Sequence, residues 1–407
     1  MMNDIILSNF HPILVGKMID QKLINQYTKF LYHFFQNFKL QKEKHLELNQ
    51  KEISFKEVSD HVNKYAIPSK NIEKRQVLLF DDIESFIVNE MQNTTPSNYI
   101  FPKGFEFLPD SHYGPKIEMR MDWFKKKLGY VFDKFYEYTP NKPENIIHVT
   151  CSGYSSPSLA QEAVINRDWK DVNVTHSYHM GCYGAFPAIR TGSGLLSLSK
   201  IKGRVDIIHT ELLSVHLNLT EYSPANTMIC SLFSDGFIGY SLYDENLFYK
   251  EGIKSNKAGL KILASHEVII PDSLEDMTWD LGEYSFLMTL SKRVPVFIRK
   301  NIKEFVVNMC NKVGLDFEAE KDSIYYAIHP GGPKIIDYVV KELKIDNSRA
   351  HWSYEVLKHN GNMSSATVPH IFNKIINDPE IKINTKIIAI AFGPGLTATG
   401  HLLEKVA

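Results

Sequence analysis

Two textures of apolar and polar positions divide the chain near residue 145. Before it, the spacing is mostly helical. Asp4–Leu7 predicts a short first strand, and Ile19–Phe38, rich in Leu, Tyr and Phe, predicts a helix. Lys42–Lys64 predicts a solvated helix; Pro68 follows, then a second helix around Ile72–Glu90. Thr94–Pro115 holds clusters of Pro, Gly and Asn and predicts a loop region. Met119–Tyr138 returns to helical spacing, with Trp123, Leu128, Val131 and Phe135 on one apolar face. After it, short apolar runs dominate. Ile146–Cys151, Val172–Thr175, Val205–His209, Ser323–Ile328 and Lys386–Phe392 predict buried strands, several of them running into turns rich in Gly or Ser. Between strands lie helical patterns, such as Ile335, Val339 and Leu343 just after Pro333, which suits a first helical position. Strands alternating with helices predict an α/β fold with largely buried sheets. There is no internal sequence repeat, low-complexity segment or obvious linker.

Composition narrows the function classes. The 407 residues hold two or three domains' worth of chain at roughly 150 residues each. Lys and Arg number 46 and Asp and Glu 47, a net charge of −1, so the global basic surplus of a nucleic-acid binder is missing. Cysteines stand at 151, 182, 230 and 310, without the spacing of a zinc site and too sparse for a disulfide scaffold. No signal peptide or membrane span is predicted, so a cytoplasmic protein is expected. The charge is uneven. Asn145–Gln161, Val172–Ile189 and Ile387–Leu403 contain no Asp, Glu, Lys or Arg, and Tyr325–Pro333 and His359–Asn373 share that property.

Those uncharged stretches hold the candidate chemistry. Cys182 follows a predicted strand and Gly181 and precedes a helix-like stretch. A cysteine at a helix N-terminus meets unpaired N–H groups, which predicts a lowered thiol pKa. Pro187 stands against this, because it should kink a helix just begun. His329 ends a strand and is fixed by Pro330-Gly331-Gly332-Pro333. Asn362 lies in Asn360-Gly361-Asn362-Met363-Ser364-Ser365-Ala366, a turn leading into another helix-like stretch. Cys, His and an amide together run either acyl transfer through a cysteine thioester or a papain-like hydrolysis. The position of Cys182 deep in the chain, between predicted strands, favours acyl transfer.

Taken in order, Gly181-Cys182-Tyr183, the His329–Pro333 loop, Gly361–Ala366 and Phe392-Gly393-Pro394-Gly395-Leu396-Thr397 resemble the signatures of type III polyketide synthases, the chalcone synthase-like enzymes. The resemblance is good from about residue 145 to 407 and loose before it. Ketoacyl synthase III enzymes share the Cys-His-Asn set. The resemblance implies a thiolase fold, an αβαβα sandwich of two similar halves, residues 1–245 and 246–407, normally a homodimer. It implies that Cys182 takes an acyl group from a thioester. His329 and Asn362 then hold the thioester oxygen of a malonyl unit as decarboxylation makes an enolate, giving a Claisen condensation and a pyrone- or resorcinol-type polyketide. Phe233 matches an aromatic gate whose second member is Met288 here. His216 and Ser364 line the acyl pocket, and Gly393, Pro394 and Gly395 form a further substrate-binding turn.

No metal and no cofactor is expected. The partners expected are acyl and malonyl thioesters of coenzyme A or of an acyl carrier protein, and no nucleic acid. At the family's basic coenzyme A positions this chain has Val62, Tyr65 and Ser69, with Lys64, Lys70, Lys74 and Arg75 displaced nearby. A carrier protein is therefore expected to deliver at least one substrate. The other readings are a ketosynthase joining two preformed acyl chains, a papain-like Cys-His-Asn hydrolase and a catalytically silent binding subunit.

Overall fold

The computed structural model describes residues 4–43, 52–80, 114–198, 203–218, 220–252 and 258–406. Thirteen strands are seen there: β1 (Ile5–Ile13), β2 (Met18–Asp20), β3 (Lys74–Gln76), β4 (Asn145–Thr150), β5 (Asn173–Tyr178), β6 (Val205–Glu211), β7 (Gly236–Asp244), β8 (Gly259–Ile269), β9 (Met277–Leu281), β10 (Phe286–Leu290), β11 (Tyr325–Ile328), β12 (Lys386–Gly393) and β13 (Thr397–Val406). Nine of them share one sheet, in the order β11-β12-β13-β8-β1-β7-β6-β4-β5.

That order is a pattern used twice. On one side, β4 is parallel to β5 and β6, then β7 and β1 turn antiparallel. On the other, β11 is parallel to β12, then β13 and β8 turn antiparallel. The two sides meet where Ile6 and Leu7 of β1 face Lys261 and Leu260 of β8. No sequence repeat announces this. What repeats is the burial of both faces of the inner strands β4, β6, β7, β12 and β13, while the edge strand β5, expected to be buried, is half-exposed.

Alternation along the strands assigns each face to a different core. Ile146, Ile208 and Phe237 point into an outer core with the Val131–Tyr138 and Leu159–Asn166 helices. Ile388, Ile390, Phe392 and Leu402 point into a second outer core with the Val294–Asn311 and Pro333–Leu343 helices. Ile147, Val149, Ile207, Ile387, Ala389 and Leu403 point the other way, into one shared central core. Two helices fill it. Ala185–Leu198 packs on β4, β6, β7 and β13, and Thr367–Asn377 packs on β1, β7 and β11. Helix, sheet, helix, sheet, helix is the layered α/β arrangement that the motifs led us to expect. It explains why these strands read as continuous apolar runs rather than half-polar ones.

Local signals set several helix starts. Ser54 and Glu57 form a capping box, as do Ser158 and Gln161. Pro224 and Pro333 occupy first-turn positions, where no N–H is needed. The expected strands all form, and β1 runs to Ile13 rather than Leu7. Over its described residues, 72–80, the expected helix from Ile72 does not form. Lys74–Gln76 pairs with β2 instead, and Leu78–Phe80 is a 3-10 turn. Residues 81–90 of that expectation, nearly all of the expected 94–115 loop and residues 44–51 of the solvated helix lie outside the described residues. Phe55–Tyr65 does form as a helix.

The central layers also bury histidines. His148 bonds Thr210 and Tyr178, His209 bonds Ser365 and Tyr240, and His401 bonds Ser265. Burial holds their imidazoles neutral: His148 and His401 are pushed down to about 3, and His209 well below its ordinary value. Once unfolded, each takes up a proton as the pH falls through about 6.5, while the folded form does not until far lower. The unfolded chain then binds more protons, so stability falls with pH, by about 1.4 kcal/mol per pH unit for each such histidine. The melting temperature is expected to drop steadily from pH 7 to pH 5 in a thermal-shift series. A flat profile over that window would contradict the neutral, dry layers.

Candidate active site

Cys182 sits in a one-turn 3-10 segment, Gly181–Tyr183, between β5 and the Ala185–Leu198 helix. Gly181 has φ +67°, and a Cβ there would lie 2.9 Å from the Pro394 ring. A side chain is excluded twice over, by conformation and by space. Pro187 is accommodated because it falls in the first turn of its helix, where its missing N–H is not required.

The sequence brings His329 to the same end of the sheet. It follows β11, its N–H bonds the Ile390 carbonyl of β12, and Gly393 at the end of β12 packs against the Tyr183 ring. His329 is buried and neither ring nitrogen has a partner among the described residues. Burial pushes its pKa down to about 3, so it is a neutral imidazole. A dry, unpaired polar ring is costly unless something else satisfies it.

Asn362 arrives from the C-terminal side through a backbone bridge. Its N–H bonds the Leu232 carbonyl at 3.0 Å, and its carbonyl accepts from the Ser234 N–H at 2.9 Å. Its Oδ1 is occupied by the Ser364 N–H, which turns the amide so that Nδ2 faces the Cys182 sulfur at 4.0 Å. Ser364 is a second group that bonds Cys182. The three expected residues are thus all buried, with Asn362 directed at the thiol and His329 left without a hydrogen-bond partner.

The thiol itself overturns one expectation. Its pKa is raised, to about 12, chiefly by burial, while bonds from Ser364 and Asn362 favour the thiolate but do not outweigh that. The helix-terminus argument that predicts a lowered value fails because the first turn here is a short 3-10 segment and no cation stands beside the sulfur in this dry pocket. Cys182 rests as a thiol.

A cavity of about 340 Å³ opens from Cys182. Phe233, Met288, His216, Ser364 and Pro394 line it, as do Gly181 and Cys151. Gly395, with φ +90°, shapes the turn that presents Pro394. Of the described lining residues one carries a formal charge, Glu221, and it is exposed. His216 is wall rather than acid or base. Its Nε2–H donates to the Ser152 carbonyl, its Nδ1 accepts from the Phe286 N–H, and the ring stacks on Phe286 at 4.2 Å.

Three contributors escaped the sequence reading. Cys151 bonds Ser364 Oγ at 3.0 Å and Glu211 at 3.2 Å. Glu211 is fully buried, accepts from Cys151, Ser152 and Ser365, and its pKa is raised by burial. Trp279 donates its indole N–H to the Cys151 carbonyl and closes the wall. The available signal was a carboxylate, Glu211, at the end of the buried strand Val205–Glu211.

Residues 261–407 match the model of the chalcone and stilbene synthase C-terminal domain. Over that stretch the chain is similar to the chalcone and stilbene synthases. A Bacillus subtilis (strain 168) protein provisionally named a chalcone synthase is 26% identical over 274 residues, 65% of this chain and 71% of its own length. A Dictyostelium discoideum chain named as a polyketide synthase is also 26% identical over 274 residues, which are 64% of this chain and 8% of that one. In fold, the chain is similar to the C-terminal type III polyketide synthase domain of Steely1, a type I/III hybrid from Dictyostelium. There the TM-score is 0.77 and the identity 19%, with 100% of both chains covered. The layered α/β architecture is therefore the thiolase fold, and a type III polyketide synthase is an acyltransferase. The family condenses acyl thioesters with a malonyl extender through a cysteine-bound acyl chain. No helix among the described residues is long and apolar enough to cross a membrane.

Because the resting thiol is neutral, its alkylation should follow the thiolate fraction, which grows tenfold per pH unit below the pKa. Labelling of Cys182 by iodoacetamide, read by peptide mapping, is expected to accelerate about tenfold per unit from pH 7 to 9. A rate already level at pH 7 would show a preformed thiolate instead.

Proposed function

We propose that Cys182, His329 and Asn362 carry out the condensation that defines the family. The observation carrying this reading is the Asn362 amide held 4.0 Å from the buried Cys182 sulfur, with His329 buried, neutral and without a ring partner among the described residues. Cys182 gives its proton to His329 and attacks the thioester carbonyl. The carbon–sulfur bond to the carrier thiol breaks, and His329 returns the proton to the leaving thiolate. The imidazolium and thiolate support each other in a low-dielectric pocket, which is how a thiol with so high a resting pKa can react.

A malonyl thioester then enters. Its carboxylate leaves as carbon dioxide, and the electron pair flows into the thioester to make an enolate. His329 and Asn362 donate hydrogen bonds to the enolate oxygen. Neutral donors aimed at developing charge in a dry site act as an oxyanion hole. The enolate carbon attacks the acyl-Cys182 carbonyl, forms the new carbon–carbon bond and expels the Cys182 thiolate. Phe233, Met288, His216, Ser364 and the Gly393-Pro394-Gly395 turn shape the chamber in which the chain grows. A pyrone- or resorcinol-type polyketide follows when it closes on itself. The two halves, residues 1–245 and 246–407, act as one unit, and the enzyme works as a cytoplasmic homodimer.

The test is intact-protein mass spectrometry after incubation with acyl thioesters. Wild type is expected to gain one acyl mass, absent in Cys182→Ala. Asn362→Ala is expected to load but to decarboxylate malonyl thioester roughly 100- to 1,000-fold more slowly. No adduct from any thioester would sink the reading.

Coenzyme A thioesters are the family's substrates. We further propose that at least one acyl group arrives on a carrier protein. In support, Val62 and Arg75 are buried, while Lys64, Lys70 and Lys74 are exposed and free to meet an acidic protein surface. Loading of Cys182 is expected to be faster from carrier-bound acyl groups. Equal or faster loading from coenzyme A counts against the idea.

A further inference from the structure

Arg75 is the largest fully buried side chain among the described residues, and no carboxylate bonds it there. Its guanidinium serves backbone and amide oxygens. Nε donates to Gln21 Oε1 at 2.8 Å, one terminal nitrogen to the Cys230 carbonyl at 2.7 Å, and the other to the Phe233 carbonyl. Cys230 and Phe233 lie at the C-terminal end of the Pro224–Leu232 helix, where carbonyls lack intrahelical partners and the dipole favours a cation. Gln21 adds to the same cap by donating to the Ser231 carbonyl at 2.8 Å.

The residues so fixed are those that hold the Asn362 donor. Leu232 accepts the Asn362 N–H, Phe233 bridges Asn362, and the Ser234 N–H donates to the Asn362 carbonyl. The Arg75 stem also touches the other side of this junction. A Cβ on Gly361, which has φ +70°, would lie 3.2 Å from Arg75 Cδ. One side chain thus clamps the helix end and supports the chain immediately before Asn362.

We propose that Arg75 is a positioning residue for the Asn362 donor, acting through the carbonyls that fix the Phe233–Asn362 bridge. This rests on the reading of Asn362 as an enolate donor. The planar fork is what the site uses, because three acceptors lie around it in fixed directions; an ammonium is a single point charge on a flexible stem. In the proposed loading step Cys182 gives its proton to His329 rather than to Asn362, so its acylation does not need the clamp.

Two steps are therefore measured on the same protein: acyl loading of Cys182 by mass spectrometry and carbon dioxide release from malonyl thioester. Arg75→Lys is expected to load as wild type does and to decarboxylate roughly 10- to 100-fold more slowly, the scale of a misplaced catalytic group. Gln21→Leu, which removes one partner and keeps the charge, is expected to show the same split at smaller size and serves if Arg75→Lys does not fold. Wild-type decarboxylation in the folded variants overturns the proposal, as does an equal loss of both steps, which marks a merely structural residue. Failure of wild type itself to load overturns the functional reading instead.

Discussion

Everything near Cys182 follows from the exclusion of water and charge from the core shared by the two sides of the nine-stranded sheet. Each central strand is buried on both faces, so the middle of the molecule can hold polar groups only when they are neutral or bonded. That constraint keeps His148, His209, His329 and His401 uncharged and Cys182 protonated. It also gives weight to a hydrogen bond aimed at a forming enolate, since the same donor in water would compete with solvent. The family's chemistry and the fold's stability thus draw on one property.

The polar network beneath the site shows how the constraint is met. Glu211 gathers donors from Cys151, Ser152 and Ser365. Ser365 also meets His209, and His209 meets Tyr240. These residues come from β4, β6, β7 and the turn after Asn362, so satisfying them locks those elements together. Arg75 solves the same problem with the Gln21 amide and backbone carbonyls, and those carbonyls belong to the segment that pairs with Asn362.

Much of this was legible in the residues. Uninterrupted apolar runs marked β4, β6, β11 and β12, because strands buried on both faces need no polar alternation. The motifs around Cys182, His329 and Asn362 were readable because Gly and Pro fix their turns locally. What escaped was decided by distant partners. Lys74, Arg75 and Gln76 are good helix formers, yet pairing with Met18–Asp20 makes them a strand. Arg75 read as a displaced surface cation, and only Gln21, Cys230 and Phe233 make it a buried clamp. The Cys182 thiol was misjudged for the same reason: the local dipole was visible in the sequence, and the desolvation imposed by the other half was not.

The separation of Cys182 from Asn362 by 180 residues also has a meaning for synthesis. The groups that enclose the sulfur, Asn362, Ser364 and Pro394, are translated well after it. At roughly 5–20 residues per second, the ribosome delivers the cysteine roughly 10–40 s before the asparagine. For that interval the nascent chain carries an unshielded thiol. Its protection from oxidants and electrophiles begins only when the segments bearing Asn362, Ser364 and Pro394 fold over it.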